Sequence, residues 1–363
     1  MKMKFLVITN HSYMFWRFRR ELITELLKRG EVVVSTPYVG HETDLEEIGC
    51  RCVETKMERR TLVPHQEIQL FRFYHHLLRK EKPDLVITYS IKPNIYAGIL
   101  CRLLKIPYVV NVQGLGSIFQ KESSASIASI LYRAAVKDAS AVFFENSSSA
   151  ELFYTRNIVP KGKQAVLNGA GINLDIYTEE PYPSEDNGIH FLFLGRIMRE
   201  KGIEETLSAF IRLKNEYEDR VILDIVGFFE DDYQERIEEL EKENILVFHG
   251  FCSDPRPFYK EAHCIVLPSY HEGMSNVLLE GAATGRALIT SDIPGCQEAV
   301  HEGENGLLVP PKDSEALYQA MKCFVEFSPD RRRQMGENSR VLMEMEFDKK
   351  QVVSKTLAVL QIK

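Results

Sequence analysis

The sequence predicts an α/β chain built as two successive doubly wound parallel-sheet domains, and three observations carry that prediction. Short apolar runs alternate with helix-like amphipathic stretches from one end to the other, the pattern of strand, helix, strand units in a parallel sheet. The chain's 363 residues exceed the usual size of a single hydrophobic core. A polar segment at 178–188, carrying Pro181 and Pro183, interrupts the alternation near the middle and is expected to link the two series.

In the first series, strands are expected at Phe5–Thr9, Glu31–Ser35, Leu85–Tyr89, Tyr108–Val112 and Ala141–Phe144. Each is a short run dominated by Val, Ile, Leu or aromatic residues, as strands covered by helices on both faces must be. Helices at Phe18–Arg29, Gln66–Lys80 and Ile95–Leu104 fit between them. The second series places strands at Phe191–Leu194, Val221–Val226, Leu246–His249, Cys264–Leu267 and Ala287–Thr290. Its helices are expected at Ile203–Tyr217, Tyr233–Glu243 and Ser275–Thr284, and the charge run Glu235–Glu243 reads as a solvated helix face. The domains are accordingly residues 1–175 and 176–347. No solenoid-type repeat or low-complexity tract interrupts them.

Hydrophobic residues make up 44% and charged residues 27% of the chain, ordinary for a globular protein. The seven cysteines, Cys50, Cys52, Cys101, Cys252, Cys264, Cys296 and Cys323, include no C-x-x-C pair and read as reduced, mostly buried thiols of a cytoplasmic protein. The opening apolar run is too brief for a secretory signal, and no stretch reaches the roughly 18 apolar residues of a spanning helix. Charge is divided: residues 1–175 carry a net +7 and residues 176–363 a net −14. The basic half suits an anionic membrane surface or a lipid diphosphate, at about 1 kcal/mol per basic residue near the bilayer. Nucleic acid is not expected as a partner, since no zinc, helix-turn-helix or RNP-like motif accompanies the charge.

The chemistry is concentrated in the second half. Glu272 and Glu280 flank a Gly-bearing loop that runs into the apolar stretch Val277–Ala283, so Glu280 lies about one turn inside a helix that Ser275 or Asn276 caps. The amides of Gly273, Met274, Ser275 and Asn276 would form the positive mouth of that helix, with Val277 just inside it, and such a mouth attracts a diphosphate. Glu272, in the loop, is left to accept hydrogen bonds from sugar hydroxyls. Upstream, the strand at Ile189–Leu194 ends in Gly195 and Arg196, followed by Glu200, Lys201 and Gly202. Open α/β sheets bind ligands at that carboxyl edge. Arg196 could chelate one phosphate with its planar fork and Lys201 supply a point charge to the other.

Taken together, Gly195, Arg196, Lys201, Glu272, Gly273 and Glu280 resemble the donor site of the retaining glycosyltransferases of family 4, which have the two-domain GT-B fold with its domains facing across a cleft. Asn168–Asn173 resembles the turn where the family's two domains meet, and Ser291–Glu298 the turn after the following strand. Gly114–Gly116, Glu145 with Asn146, and the aromatic-basic opening Phe15–Arg19 resemble a bacterial subgroup that elongates undecaprenyl-diphosphate-linked sugars. The resemblance implies an acceptor-binding first domain and a sugar-nucleotide-binding second one. It also implies that a last helix, 348–363, crosses back onto the first domain.

On that resemblance, the donor is a UDP-sugar, with an N-acetylhexosamine such as GalNAc or GlcNAc as the group transferred, and Glu280 holds the ribose hydroxyls. The acceptor is a lipid-linked saccharide of bacterial polysaccharide or glycan biosynthesis, met at the cytoplasmic face of the membrane. Breaking the anomeric C–O bond leaves negative charge on the diphosphate, and Arg196, Lys201 and the helix mouth are the groups that stabilise it. Glu272, Arg196 and Lys201 are therefore the expected catalytic residues. No Asp-x-Asp segment and no cluster with metal-ligand spacing is evident, so metal-free, cofactor-free chemistry is expected. The resemblance implies retention, and since no carboxylate is an evident covalent nucleophile, front-face attack with the leaving phosphate as base is the expected route.

For the acceptor, Arg19, Lys92, Asn94 and Gln113 are the candidates, with Lys92 and Asn94 following a strand's carboxyl edge and Gln113 standing where many members carry a histidine. Phe15, Trp16 and Phe18 interleaved with Arg17, Arg19 and Arg20 suit an interfacial surface. The opening loop, Thr9–Phe15, is bulky where the family is commonly glycine-rich. A sugar-nucleotide 2-epimerase of the same architecture and a non-catalytic sugar-nucleotide-binding scaffold are the alternatives. A Rossmann dehydrogenase fits less well, because Phe119 stands where its third glycine belongs.

Overall fold

The computed structural model describes residues 2–57, 63–115, 119 and 122–362. The chain separates into two compact units, Met1–Ala170 with Lys350–Lys363, and Gly171–Lys349. The first unit runs β1 Met3–Ile8, α1 Ser12–Leu27, β2 Gly30–Thr36, α2 Glu42–Glu47, β3 Arg51–Glu54, α3 Pro64–Glu81, β4 Leu85–Tyr89, α4 Ile91–Leu104, β5 Tyr108–Val112, α5 Glu122–Val136, β6 Val142–Phe144, α6 Ser147–Thr155 and β7 Gln164–Val166. Its sheet is parallel in the order β3-β2-β1-β4-β5-β6-β7. Successive strand side chains point to opposite faces. Phe5 and Val7 therefore join one core with Val32, Val34 and Ile87, while Leu6 and Ile8 join the other with Val33, Val86 and Val110.

The second unit runs β8 Ile189–Leu194, α7 Ile203–Tyr217, β9 Val221–Val226, α8 Gln234–Lys242, β10 Val247–Phe248, α9 Arg256–Glu261, β11 Cys264–Leu267, α10 Asn276–Ala283, β12 Ala287–Ser291, β13 Gly306–Val309, α11 Ser314–Glu326 and α12 Pro329–Leu342. Its order, β10-β9-β8-β11-β12-β13, repeats the pattern of the first sheet. In each, the strand order reverses next to the first strand, so the loops after β1 and β4, and after β8 and β11, diverge around a crevice. A π-helical turn at Met343–Phe347 leads into α13, Lys349–Leu360, whose Val352 and Leu357 are buried in the first unit's core.

Several elements differ from the sequence expectation. The edge strand β3 begins and ends on exposed charged residues, Arg51 and Glu54, so it lacks an apolar run. Strand β7 has only three residues and none fully buried. Helix α1 starts at Ser12, because His11 accepts from the Met14 amide at 3.4 Å and caps it. The bulky opening loop is thus helical from Ser12 onward. Segment 178–188 is not a free linker. Fully buried Arg286 donates to the Glu180 and Pro181 carbonyls at 3.2 and 3.0 Å, and Arg332 pairs with Glu185, which fastens the segment to the second unit. The division between units falls inside Asn168–Asn173, a few residues before position 175.

Candidate functional site

The crevice of the second sheet lies between the loops that follow β8 and β11. Gly195 directly follows β8, its N–H donating to the Val226 carbonyl at 2.9 Å. Arg196 is 39% exposed, and its Nη1 donates to Glu230 Oε2 at 2.5 Å. A short 3-10 turn, Arg199–Lys201, then ends at Gly202 with φ +75°. A Cβ there would stand 2.2 Å from the Pro268 carbonyl. Only glycine allows this approach of the two loops, and the approach brings Lys201 to Glu272.

Lys201 Nζ donates to Glu272 Oε1, and Ser269 Oγ donates to the same oxygen at 2.9 Å. Both charged side chains are largely buried. Tyr270 fixes the loop from the other side: its N–H donates to the Glu200 carbonyl at 2.9 Å and its hydroxyl to Glu205 Oε1 at 2.7 Å. Burial, reinforced by Glu205, pushes the Tyr270 phenol up to about 12, so it remains a donor. Beneath, Gly295 has φ +90°, and a Cβ on it would lie 2.7 Å from the carbonyls of both Glu272 and Gly273. The Gly295 carbonyl accepts from the Ser275 amide at 2.8 Å, and its N–H donates to Glu298 Oε2 at 2.7 Å. Burial raises the Glu298 carboxyl above the ordinary range, against the two backbone amides that lower it.

Helix α10 follows. Ser275 is its N-cap by backbone position but makes no side-chain capping bond. Because the Ser275 amide is taken by Gly295, the helix mouth offers fewer donors than the stretch Gly273–Asn276 suggests. Met274 is buried in the core and Val277 packs against it, so both act here through packing. Asn276 opens the helix, half-buried. Glu280 is only 3% exposed and its Oε2 accepts from the Tyr259 hydroxyl at 2.9 Å.

In the first unit, the corresponding crevice gathers Asn10, Ser90 and Gln113. Ser90 Oγ donates to Asn10 Oδ1 at 2.8 Å and reaches Gln113 Oε1 at 3.4 Å. Ser90 has φ +75° and ψ 159°, a region nearly confined to glycine. Lys92 donates to Glu67 Oε1 at 2.6 Å, and Tyr96 donates to the other oxygen at 2.7 Å. Asn94 is buried, accepting from Thr88 Oγ1 at 2.7 Å and donating to the Asn111 carbonyl at 2.8 Å, so its amide ties α4 to the sheet. Gly116 lies outside the described residues.

The aromatic-basic opening is also divided. Phe15 and Arg19 are buried; Arg19 pairs with Glu145 and lies over the Tyr89 ring at 5.3 Å. Arg17 and Arg20 rest over Phe18 and Trp16. Helical periodicity turns Phe15 and Arg19, four residues apart, inward, so the run is not one continuous surface cluster. Ser90, Ser269 and Tyr270 escaped sequence reasoning, and Glu298 entered it only as the end of the Ser291–Glu298 turn. The positive φ of Ser90 has no sequence signal, and Ser269 and Tyr270 carry no motif of their own.

Among the described residues, no group of three or more His, Cys, Asp or Glu is placed to hold a metal ion, and no helix is long and apolar enough to cross a membrane. All seven cysteines are free thiols.

Two family models match the chain: Glycosyl transferase 4-like over residues 4–146, and Glycosyl transferases group 1 over residues 188–326. The N,N'-diacetylbacillosaminyl-diphospho-undecaprenol alpha-1,3-N-acetylgalactosaminyltransferase of Campylobacter jejuni is 26% identical, covering 86% of this chain and 86% of its own. The capsular polysaccharide biosynthesis glycosyltransferase CapM of Staphylococcus aureus is 24% identical, covering 75% of this chain and 74% of its own. Among solved structures, Anabaena Alr3699/HepE in complex with UDP matches with a TM-score of 0.79 over 99% of this chain and 100% of its own, at 18% identity. The fold is of the GT-B type, two Rossmann-like parallel-sheet domains.

Proposed function

The chain belongs to the group 1, family 4-like glycosyltransferases, and from that premise we propose that it moves an N-acetylhexosamine from a UDP-sugar to a polyprenyl-diphosphate-linked saccharide, with retention and without a metal. The observation that carries the proposal is the meeting of Lys201 and Glu272 at the switch point of the second sheet, beside Gly195 and Arg196. A cation and a carboxylate held together there suit a ligand with a diphosphate at one end and sugar hydroxyls at the other. The lipid-linked acceptor and the N-acetylhexosamine are supported by the activity that the Campylobacter relative is named for.

In this reading the anomeric C–O bond breaks and its electron pair passes to the β-phosphate oxygen. Arg196 and Lys201 stabilise the charge that develops on the UDP, the task that a metal performs elsewhere. Glu272 orients the sugar through its hydroxyls, and Glu280 takes the ribose hydroxyls once Tyr259 yields its place. The acceptor hydroxyl attacks from the face the diphosphate is leaving, and its proton goes to the departing phosphate oxygen. Arg19, Lys92 and Gln113 serve the acceptor side, with Arg19 and Lys92 acting through the carboxylates they already pair with. The enzyme would work at the cytoplasmic face of the membrane, bound to it peripherally.

The test is a screen of sugar nucleotides against a short polyprenyl-diphosphate saccharide, with product anomer determined and EDTA included. Transfer with an α-linked product from an α-linked donor, unaffected by EDTA, is expected. Epimerisation of the free sugar nucleotide, or binding without turnover, would replace the proposal by the epimerase or scaffold reading. Activity abolished by EDTA and restored by Mn²⁺ or Mg²⁺ would overturn its metal-free part.

A further inference from the structure

Helix α5 presents an exposed apolar face in the first unit. Ile127, Ile130 and Leu131 stand at i, i+3 and i+4 on one side of the helix, and they are 61%, 62% and 38% exposed. The opposite side is well buried, with Ala128, Tyr132, Ala135 and Val136 packed into the core. The helix is therefore apolar on both faces in its middle, whereas a helix on a sheet needs only one apolar stripe. Scattered exposed apolar residues are ordinary, but a contiguous run of large aliphatic side chains marks an interaction surface.

The cations beside it indicate the partner. One turn on from Ile130, Arg133 extends to the carbonyls of Asn157 and Arg156 at 2.9 and 3.0 Å. Exposed Lys137 follows at the end of α5, and Lys163 Nζ donates to its carbonyl at 2.8 Å. Asp138, which follows Lys137, is paired with Arg102 at 3.2 Å. An aliphatic stripe bordered by Arg and Lys fits a bilayer carrying anionic headgroups: the aliphatic groups enter the acyl boundary while the cations meet phosphates. A second copy of the same face would bring Arg133 and Lys137 against their own counterparts, which disfavours a two-fold pairing.

We propose that this face of α5, centred on Ile127, Ile130 and Leu131, is the surface by which the first unit docks on an anionic lipid bilayer. The inference rests on the lipid-linked acceptor reading for its purpose, though not for its geometry. It places the docking surface on α5; within the aromatic-basic opening of α1, Arg19 is buried and paired with Glu145.

The experiment is flotation of the full chain with vesicles of phosphatidylcholine alone and with added phosphatidylglycerol. Binding should require the anionic lipid and fall with salt, because such attraction is screened beyond about 10 Å at 0.1 M. The triple variant Ile127→Ser/Ile130→Ser/Leu131→Ser should bind at least tenfold more weakly, while keeping its activity on a short water-soluble acceptor. In parallel, Ile130→Trp, read above the single native Trp16, should shift to shorter emission wavelength on adding anionic vesicles. Wild-type flotation by the triple variant, or unshifted Ile130→Trp emission, would overturn the proposal. So would a change from dimer to monomer in the triple variant without any vesicle binding by the wild type. If vesicle binding is lost as expected but no lipid-linked acceptor is ever used, the docking surface stands and the acceptor reading fails.

Discussion

Lys201 donates to Glu272 from 71 residues away in the chain, across the point where the strand order of the second sheet reverses. Neither side chain reaches the other unless the loops after β8 and β11 touch, and they touch at Gly202 and Pro268. The pair therefore reports on the geometry of the crevice itself. It also sets a cost for the ligand, because a diphosphate that recruits Lys201 must offset the contact with Glu272.

Replacing Lys201 or Arg196 by Ala should lower turnover by about 10²- to 10³-fold, the scale for losing one oriented stabilising group. Lys201→Ala additionally leaves Glu272 with Ser269 as its remaining partner among these contacts. It should therefore impair sugar orientation as well, and the larger loss of the two is expected there. Steady-state rates at saturating donor decide the matter; near-wild-type values in both variants would remove them from the mechanism.

Glu272 and Glu280 should separate kinetically. Glu272→Gln keeps the acceptor for Ser269 but weakens the hold on Lys201 and on the sugar, so a large loss in kcat is expected. Glu280→Gln should chiefly raise the donor KM, because the Tyr259 hydroxyl still finds an acceptor and the nucleotide loses a charged one. UDP titrations on both variants provide the check: strong weakening for Glu272→Gln with none for Glu280→Gln would reverse the roles.

The two doubly wound sheets were legible because parallel strands are buried on both faces. Leu85–Tyr89, Tyr108–Val112, Val221–Val226 and Cys264–Leu267 are found at the residues that their apolar runs define. Edge elements were not. Arg51–Glu54 pairs on one side only, so its residues need not be apolar. At the crevice, Gly195, Lys201, Glu272 and Gly273 could be picked out because they stand in recognisable order around predicted strand ends. What could not be read is which oxygen each cation meets. The pairing of Arg196 with Glu230 and the hold of Glu298 on Gly295 depend on loop paths set by tertiary packing. Asn94 shows the same limit from the other direction, since a polar residue after a strand can face the sheet as readily as a ligand.

Ser90 should show its strain in a simple comparison. At φ +75° and ψ 159° a side chain costs on the order of 1–3 kcal/mol relative to glycine. Ser90→Ala keeps that cost and loses the bond to Asn10, whereas Ser90→Gly loses the bond and the cost together. Ser90→Gly should be the more stable variant by about 1 kcal/mol or more in denaturant unfolding. Equal stability would mean that the backbone at Ser90 is not strained.

His263 should make stability fall with acidity. It is fully buried before β11, its Nδ1 accepting from the His190 amide at 3.0 Å and its ring stacked at 6.0 Å on that of His190. Burial first, and His190 second, lower its pKa from 6.5 to about 4. Between those values the unfolded chain binds more protons than the native one, so stability rises with pH across the window. The contribution is complete above about 6.5 and is lost as pH falls through about 4. A shift of that size corresponds to roughly 3 kcal/mol. His263→Asn retains an acceptor for the His190 amide but has no proton to gain. Its melting temperature should therefore fall less than the wild type's between about pH 7 and pH 4.5, whatever its stability at neutral pH. Parallel curves for the two proteins would show that His263 does not carry the acid sensitivity, and that the burial of its ring is relieved before the proton arrives.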